Sequence, residues 1–123
     1  MFNKHTDTRV ETLICGELRT AKEQHGEKFN SLHEAYAVAL EELEEANVKV
    51  DMAKYRYEDV WNNIKWDEEK KRIVESLNRV RIYTVEAIKE FAQFAAMIDK
   101  TLESMEIEDA KRENKDIGDA EVL

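Results

Sequence analysis

The chain has 123 residues, a formal net charge of -9, 38% charged and 42% hydrophobic residues, no proline and only three glycines. That is enough for one domain with a modest core, but the shortage of glycine and proline argues against a sandwich or barrel, which needs turn residues every ten positions or so. The acidic balance disfavours a nucleic-acid backbone as main partner, because phosphate binding needs clustered Lys and Arg.

Cys15 is the sole cysteine, so no internal disulfide can form, and the thiol reads as a packing group. No run approaches the roughly 20 apolar residues of a membrane span. Met1-Phe2-Asn3-Lys4 lacks the apolar core of a signal peptide, so the expected location is the cytoplasm.

In chain order, Thr8 is a candidate N-cap with Glu11 as its capping-box partner. Val10, Leu13, Ile14, Leu18 and Ala21 follow helical spacing, and Gly26 has the position of a C-cap glycine. The first helix is therefore expected over about residues 9–25. Ser31 and Glu34 form a second capping box that opens a long helix over 32–65, about 50 Å at 1.5 Å per residue.

Along that helix Tyr36, Leu40, Leu43, Asn47, Val50, Lys54, Tyr57, Trp61 and Ile64 recur at steps of three and four, with Ala39, Ala46, Ala53 and Val60 widening the stripe. A helix that long needs an equally long partner. Val74, Leu77, Val85, Ile88, Phe91, Ala92, Ala95, Ile98, Leu102 and Met105 mark it, over about 68–105. The pair predicts an antiparallel hairpin joined through Trp66-Asp67-Glu68-Glu69, with no glycine or proline to fix the turn.

The second long helix also carries Ile82, Tyr83, Phe94 and Met97 on the side away from its main stripe, beside Glu86, Glu90 and Gln93. A helix apolar nearly all round is buried nearly all round, which predicts another subunit on that back face. The expected fold is all-α: a short N-terminal helix and a long antiparallel hairpin, packing into an oligomeric helix bundle. Residues 1–105 form the single domain and 106–123 a polar tail, frayed or disordered.

Two i, i+3 pairs carry the chemistry. Glu42 and Glu45 lie one turn apart on the first long helix, inside the acidic run Glu41-Glu42-Leu43-Glu44-Glu45; Glu90 and Gln93 repeat the spacing on the second. Like charges that close repel, and a divalent cation makes the arrangement favourable. Carboxylate and amide oxygens from two helices suit Mg²⁺ with water completing its shell. Without an ion, the same run reads as a solvated acidic face.

The segment from His25-Gly26-Glu27-Lys28-Phe29-Asn30-Ser31-Leu32-His33-Glu34-Ala35-Tyr36 into Leu40-Glu41-Glu42-Leu43-Glu44-Glu45 resembles phage-encoded members of the MazG-like family of all-α nucleoside triphosphate pyrophosphohydrolases. Glu41, Glu42 and Glu45 match that family's E-E-x-x-E pattern. Glu90-Phe91-Ala92-Gln93 resembles its E-x-x-D pattern, with Gln93 where the family has Asp, and the gap between the two blocks is longer than usual. Literal E-x-x-D matches at Glu106-Asp109 and Glu113-Asp116 lie in the polar tail, with no apolar stripe to hold them.

The resemblance implies Mg²⁺-dependent hydrolysis of a nucleoside triphosphate to a monophosphate and pyrophosphate. It implies Glu41, Glu42 and Glu45 as catalytic residues, and Glu42, Glu45, Glu90 and Gln93 around the metal. It implies a dimer or tetramer whose site is walled by two subunits. Lys22, Lys28 and Lys89 are candidates to meet the triphosphate charge, as are Arg79 and Arg81. Phe29, Trp61 or Trp66 is a candidate to stack on a base. Two alternatives stay open: a phage protein on the same scaffold that binds and sequesters a nucleotide or nucleotide signal without cleaving it, and a structural helical oligomer.

Overall fold

The computed structural model describes the backbone over 7–122 and side chains over 7–106 and 109–113. Among the described residues the chain forms three helices and no strand: α1 (Thr8–His25), α2 (Leu32–Lys65) and α3 (Lys70–Val122).

Asp7, not Thr8, caps α1. Its carboxylate accepts from the backbone N–H of Arg9 at 2.9 Å and of Val10 at 3.4 Å, so Thr8 becomes the first helical residue. A carboxylate meets the positive end of the helix dipole with a full charge, which a threonine hydroxyl cannot. Glu11 does not close a capping box; its N–H makes the helix's first backbone bond, to the Asp7 carbonyl. Gly26 ends α1 as expected, at φ 94°, with its N–H on the Lys22 carbonyl at 2.9 Å.

At the start of α2, Ser31 Oγ accepts from the Glu34 N–H at 3.1 Å. The Glu34 carboxylate reaches back one residue further than a capping box requires, to the Asn30 N–H at 3.3 Å and Asn30 Nδ2 at 3.2 Å.

The α2–α3 turn is a Schellman arrangement without glycine. Asp67 takes φ 55°, its N–H bonds the Ile64 carbonyl at 3.1 Å, and the Glu68 N–H bonds the Asn63 carbonyl at 2.9 Å. Aspartate is among the few side chains that tolerate this left-handed conformation. α3 then begins at Lys70, two residues past the expected start, and continues beyond Met105 to Val122.

Contacts divide the chain into two compact units, Met1–Ala39 with Ala95–Leu123, and Leu40–Phe94. In the first, Phe29, Ala35, Ala39, Ala96 and Met97 are buried. Ser104 Oγ there accepts from the Phe29 N–H at 3.0 Å and donates to the Lys100 carbonyl at 2.8 Å. α1 contributes no fully buried residue. In the second unit, Ala46, Val60, Ala87 and Ala92 are buried. The antiparallel order of α2 and α3 there follows from two pairs: Lys49 with Glu86, and Asn63 Nδ2 donating to Ser76 Oγ at 2.9 Å.

The faces turned inward match the predicted stripes only in part: Ala39, Ala46, Ala53 and Val60 on α2 and Ala92 on α3 are buried or half-buried, while most of the large stripe residues are exposed. On α2 the residues Ala35, Ala39, Glu42, Ala46, Lys49, Ala53, Arg56, Val60 and Asn63, at alternating steps of four and three, are all buried or half-buried. On α3 the same holds for Ile73, Ser76, Val80, Tyr83, Ala87, Glu90, Phe94, Met97, Thr101 and Ser104. These are seam positions of a heptad pattern. The large residues expected at the interface lie one position further on, about 100° round each helix. Tyr36, Tyr57, Trp61 and Ile64 are exposed, as are Val74, Leu77, Ile88, Phe91, Ile98, Leu102 and Met105. Conversely Met97, Phe94 and Tyr83, expected on an outer face, turn inward, while Ile82 stays exposed. Alanine lets two backbones approach closely, and Lys49 and Asn63 pair across the gap with Glu86 and Ser76, so small and polar groups occupy the inside.

Candidate metal centre

All of this centre lies in the Leu40–Phe94 unit. Glu42 and Glu90 are seam residues of α2 and α3, so the hairpin brings their carboxylates together. Glu45, one turn past Glu42, joins them from the flank. One carboxylate oxygen from each of Glu42, Glu45 and Glu90 lies within 4.8 Å of the other two. Glu42 and Glu90 are half-buried, while Glu45 is exposed, so the cluster sits at the edge of the seam and opens to solvent on one side.

Electrostatics follow from that crowding. Burial, then the charges of Glu45 and Glu90, push the Glu42 carboxyl up to about 7. Glu45 is also raised, first because its carboxyl shares a hydrogen bond with Glu90, and then by burial. Carboxylates this close favour a shared proton or a cation between them.

Gln93 is placed against two of the same carboxylates. With its amide nitrogen turned toward the carboxylates, the orientation that replaces oxygen–oxygen repulsion by hydrogen bonds, it donates to Glu42 Oε2 at 3.0 Å and to Glu90 Oε2 at 2.9 Å. The amide thus bridges two of the three acids, and rotated by half a turn it offers its oxygen to the same point.

One turn away lies a group that the spacing of the acidic pairs does not reveal. The Lys49 ammonium is 2.9 Å from Glu86 Oε2 and 6.0 Å from the centre of the Tyr83 ring. Lys49 follows Glu45 by four residues and Glu86 precedes Glu90 by four, so the ladder of i, i+4 neighbours holds the signal that finds them. Glu86, and then the charge of Glu90, hold the Lys49 ammonium above its ordinary range.

No family model, no curated protein and no solved structure matches this chain. Its site therefore stands on its own geometry.

The remaining candidates are not in the cluster. Glu41 is exposed, and its charge adds to the upward push on Glu42. Lys89 is exposed on α3. Lys22, Lys28 and Phe29 belong to the other unit. Lys22 is paired with Glu103 there, and lies 3.9 Å from Glu27. Phe29 is 7% exposed, and the Lys100 ammonium lies 4.4 Å from the centre of its ring. Phe29 also lines a cavity of about 280 Å³ with Ser31, Ala35, Thr101 and Arg112. Glu106, Asp109 and Glu113 are exposed, and the Asp116 side chain lies outside the described residues.

The donor set fits a hard divalent cation. It consists of oxygen atoms alone, three of them anionic, with a neutral amide beside them and one open side for water or a ligand oxygen. No cysteine or histidine is present to favour a softer metal.

Proposed function

We propose that the protein is a Mg²⁺-dependent nucleotide pyrophosphohydrolase, cleaving a nucleoside triphosphate to a monophosphate and pyrophosphate. The observation that carries this reading is the convergence of Glu42, Glu45 and Glu90 from two helices within 4.8 Å. The resemblance of the Glu41–Glu45 run to the MazG-like pattern supports it.

Glu42, Glu45 and Glu90 would hold the ion, with the Gln93 amide oxygen as a fourth donor. Bound there, Mg²⁺ offsets phosphate charge and orients the oxygens of a triphosphate. Exposed Glu41, next to the cluster, is free to orient a water molecule or accept its proton. Lys49, one turn along, keeps a positive charge at the border of the site while paired with Glu86.

A second reading has one observation in its favour. Gln93 is a neutral donor spanning two carboxylates, so the centre has fewer anionic ligands than the four-acid pattern and would hold Mg²⁺ less tightly. On this reading the protein binds a nucleotide or nucleotide-derived signal and releases it intact.

The deciding experiment is incubation with a panel of nucleoside triphosphates and Mg²⁺, assayed for pyrophosphate. Turnover by the wild type, abolished in Glu42→Gln and Glu45→Gln with helical circular dichroism unchanged, is the expected result. Unchanged turnover in both variants removes the site assignment. Tight binding with the nucleotide recovered whole favours the second reading.

A further inference from the structure

The Leu40–Phe94 unit brings like charges together a second time, nearer the α2–α3 turn. Two contacts fix how the helices face each other. Gln93 donates to Glu42 at 3.0 Å, and one heptad further along each antiparallel helix Lys49 meets Glu86 at 2.9 Å. The next rung of that ladder, seven residues on along α2 and seven back along α3, sets Arg56 against Arg79. The rung after it holds Asn63 and Arg72. At the first two rungs a donor faces a carboxylate; at the third, both helices supply a guanidinium.

Arg56, Arg72 and Arg79 line one groove of about 340 Å³, together with Asn63 and the carboxylates of Asp59 and Glu75. Three guanidinium groups against two carboxylates leave it net positive, on a chain whose net charge is -9. The acids leave the rung unbalanced. Asp59 lies 3.5 Å from Arg56, one turn along the same helix, and Arg72 is 3.9 Å from Glu68. Among the described residues no ion pair holds Arg79. Arginine does not lose its proton in proteins, so the rung cannot be relieved by titration, as the carboxylates can. An anion between the two forks relieves it, and a phosphate group offers a pair of oxygens to each guanidinium.

We propose that this groove is a second ligand site, which binds a phosphate group, free or ester-linked, between Arg56 and Arg79, with Arg72 as a third cation. The groove is separate from the carboxylate centre. Two heptads divide the Arg56–Arg79 rung from the Glu42–Gln93 rung, about 21 Å at 1.5 Å per residue. Both open on the same flank of the pair, because Arg72 and Arg79, like Glu86 and Gln93, each precede a seam residue of α3 by one position. The Lys49–Glu86 ion pair, neutral overall, stands between them. Phosphate binding in the groove does not depend on an ion at the carboxylates.

Equilibrium dialysis of the full chain against labelled inorganic phosphate, and against a labelled nucleoside monophosphate, tests it. Excess chelator keeps divalent ions away from the carboxylates, and sodium chloride holds the ionic strength constant. The wild type is expected to bind saturably: binding of both anions identifies the free group as sufficient, binding of the monophosphate alone an ester. Arg56→Gln and Arg79→Gln are each expected to weaken binding about tenfold or more, with helical circular dichroism retained. Arg81→Gln is the charge control. Arg81 is exposed and follows seam residue Val80 by one position, on the other flank, so this variant should bind as the wild type does. Glu42→Gln should also bind unchanged, which separates the groove from the carboxylate centre. No saturable binding of either anion, unchanged affinity in both Arg56→Gln and Arg79→Gln, or an equal loss in Arg81→Gln or Glu42→Gln overturns the proposal.

Discussion

Within the proposed centre, Glu42 is the carboxylate most crowded by its neighbours. Its folded pKa of about 7 lies above its ordinary value of 4.5, so the folded state binds the proton more tightly than the unfolded chain does. The sign is then fixed: this group's contribution to stability is greatest below pH 4.5, falls as pH rises from 4.5 to about 7, and is an unrelieved penalty above that. On the proposed function, a divalent ion would take the place of the proton. The melting temperature measured from pH 5 to 8 should therefore fall less steeply with saturating Mg²⁺ than without it. Glu42→Gln should flatten the ion-free profile and remove the difference. Identical profiles with and without the ion would argue against a cation at this point.

Gln93 gives a sharper contrast at the same scale. Gln93→Asp removes the amide that bridges Glu42 and Glu90 and adds a fourth anion. The variant should melt at a lower temperature than wild type without ion, and show a larger upward shift on adding Mg²⁺. Thermal melts at fixed pH over a Mg²⁺ titration read both effects. The sequence makes Gln93 legible as part of the centre through its i, i+3 spacing from Glu90. It does not say that the amide nitrogen faces the acids, because that depends on which oxygens the partner helix delivers.

At the scale of elements, the helices are legible from capping chemistry and period. Gly26 and the Ser31–Glu34 pair mark boundaries that hold to the residue. The α2–α3 turn is not legible, since a Schellman turn usually advertises itself by glycine and here uses Asp67. Asp67→Gly should relieve the left-handed conformation and stabilise the fold by about 0.5–1 kcal/mol, read from urea unfolding at fixed protein concentration. Which edge of each broad stripe turns inward is also hidden. Residue size points to Tyr57, Trp61, Ile88 and Phe91, yet the inward positions hold Ala39, Ala46 and Ala87. Two adjacent stripes share one period, and the period alone does not choose between them. Ala46 is 0% exposed, so Ala46→Leu should cost about 1–3 kcal/mol by overpacking, measured by the same unfolding experiment. A neutral outcome would mean that the helices are not in close approach there.

For the molecule as a whole, the all-helical class is legible from composition and long periodic runs, and no described helix is long and apolar enough to cross a membrane. Alanines slide past one another with little to stop them, so the relative position of α2 and α3 in the Leu40–Phe94 unit must be held by its polar rungs. Slipping α3 by one heptad one way sets Lys49 against Arg79 instead of Glu86; slipping it the other way sets Asn63 against Tyr83 instead of Ser76. Either misalignment strands a polar group without its mate. The ion pair and the amide–hydroxyl bond act as pins in a smooth track, and they fix the one alignment in which the acids meet.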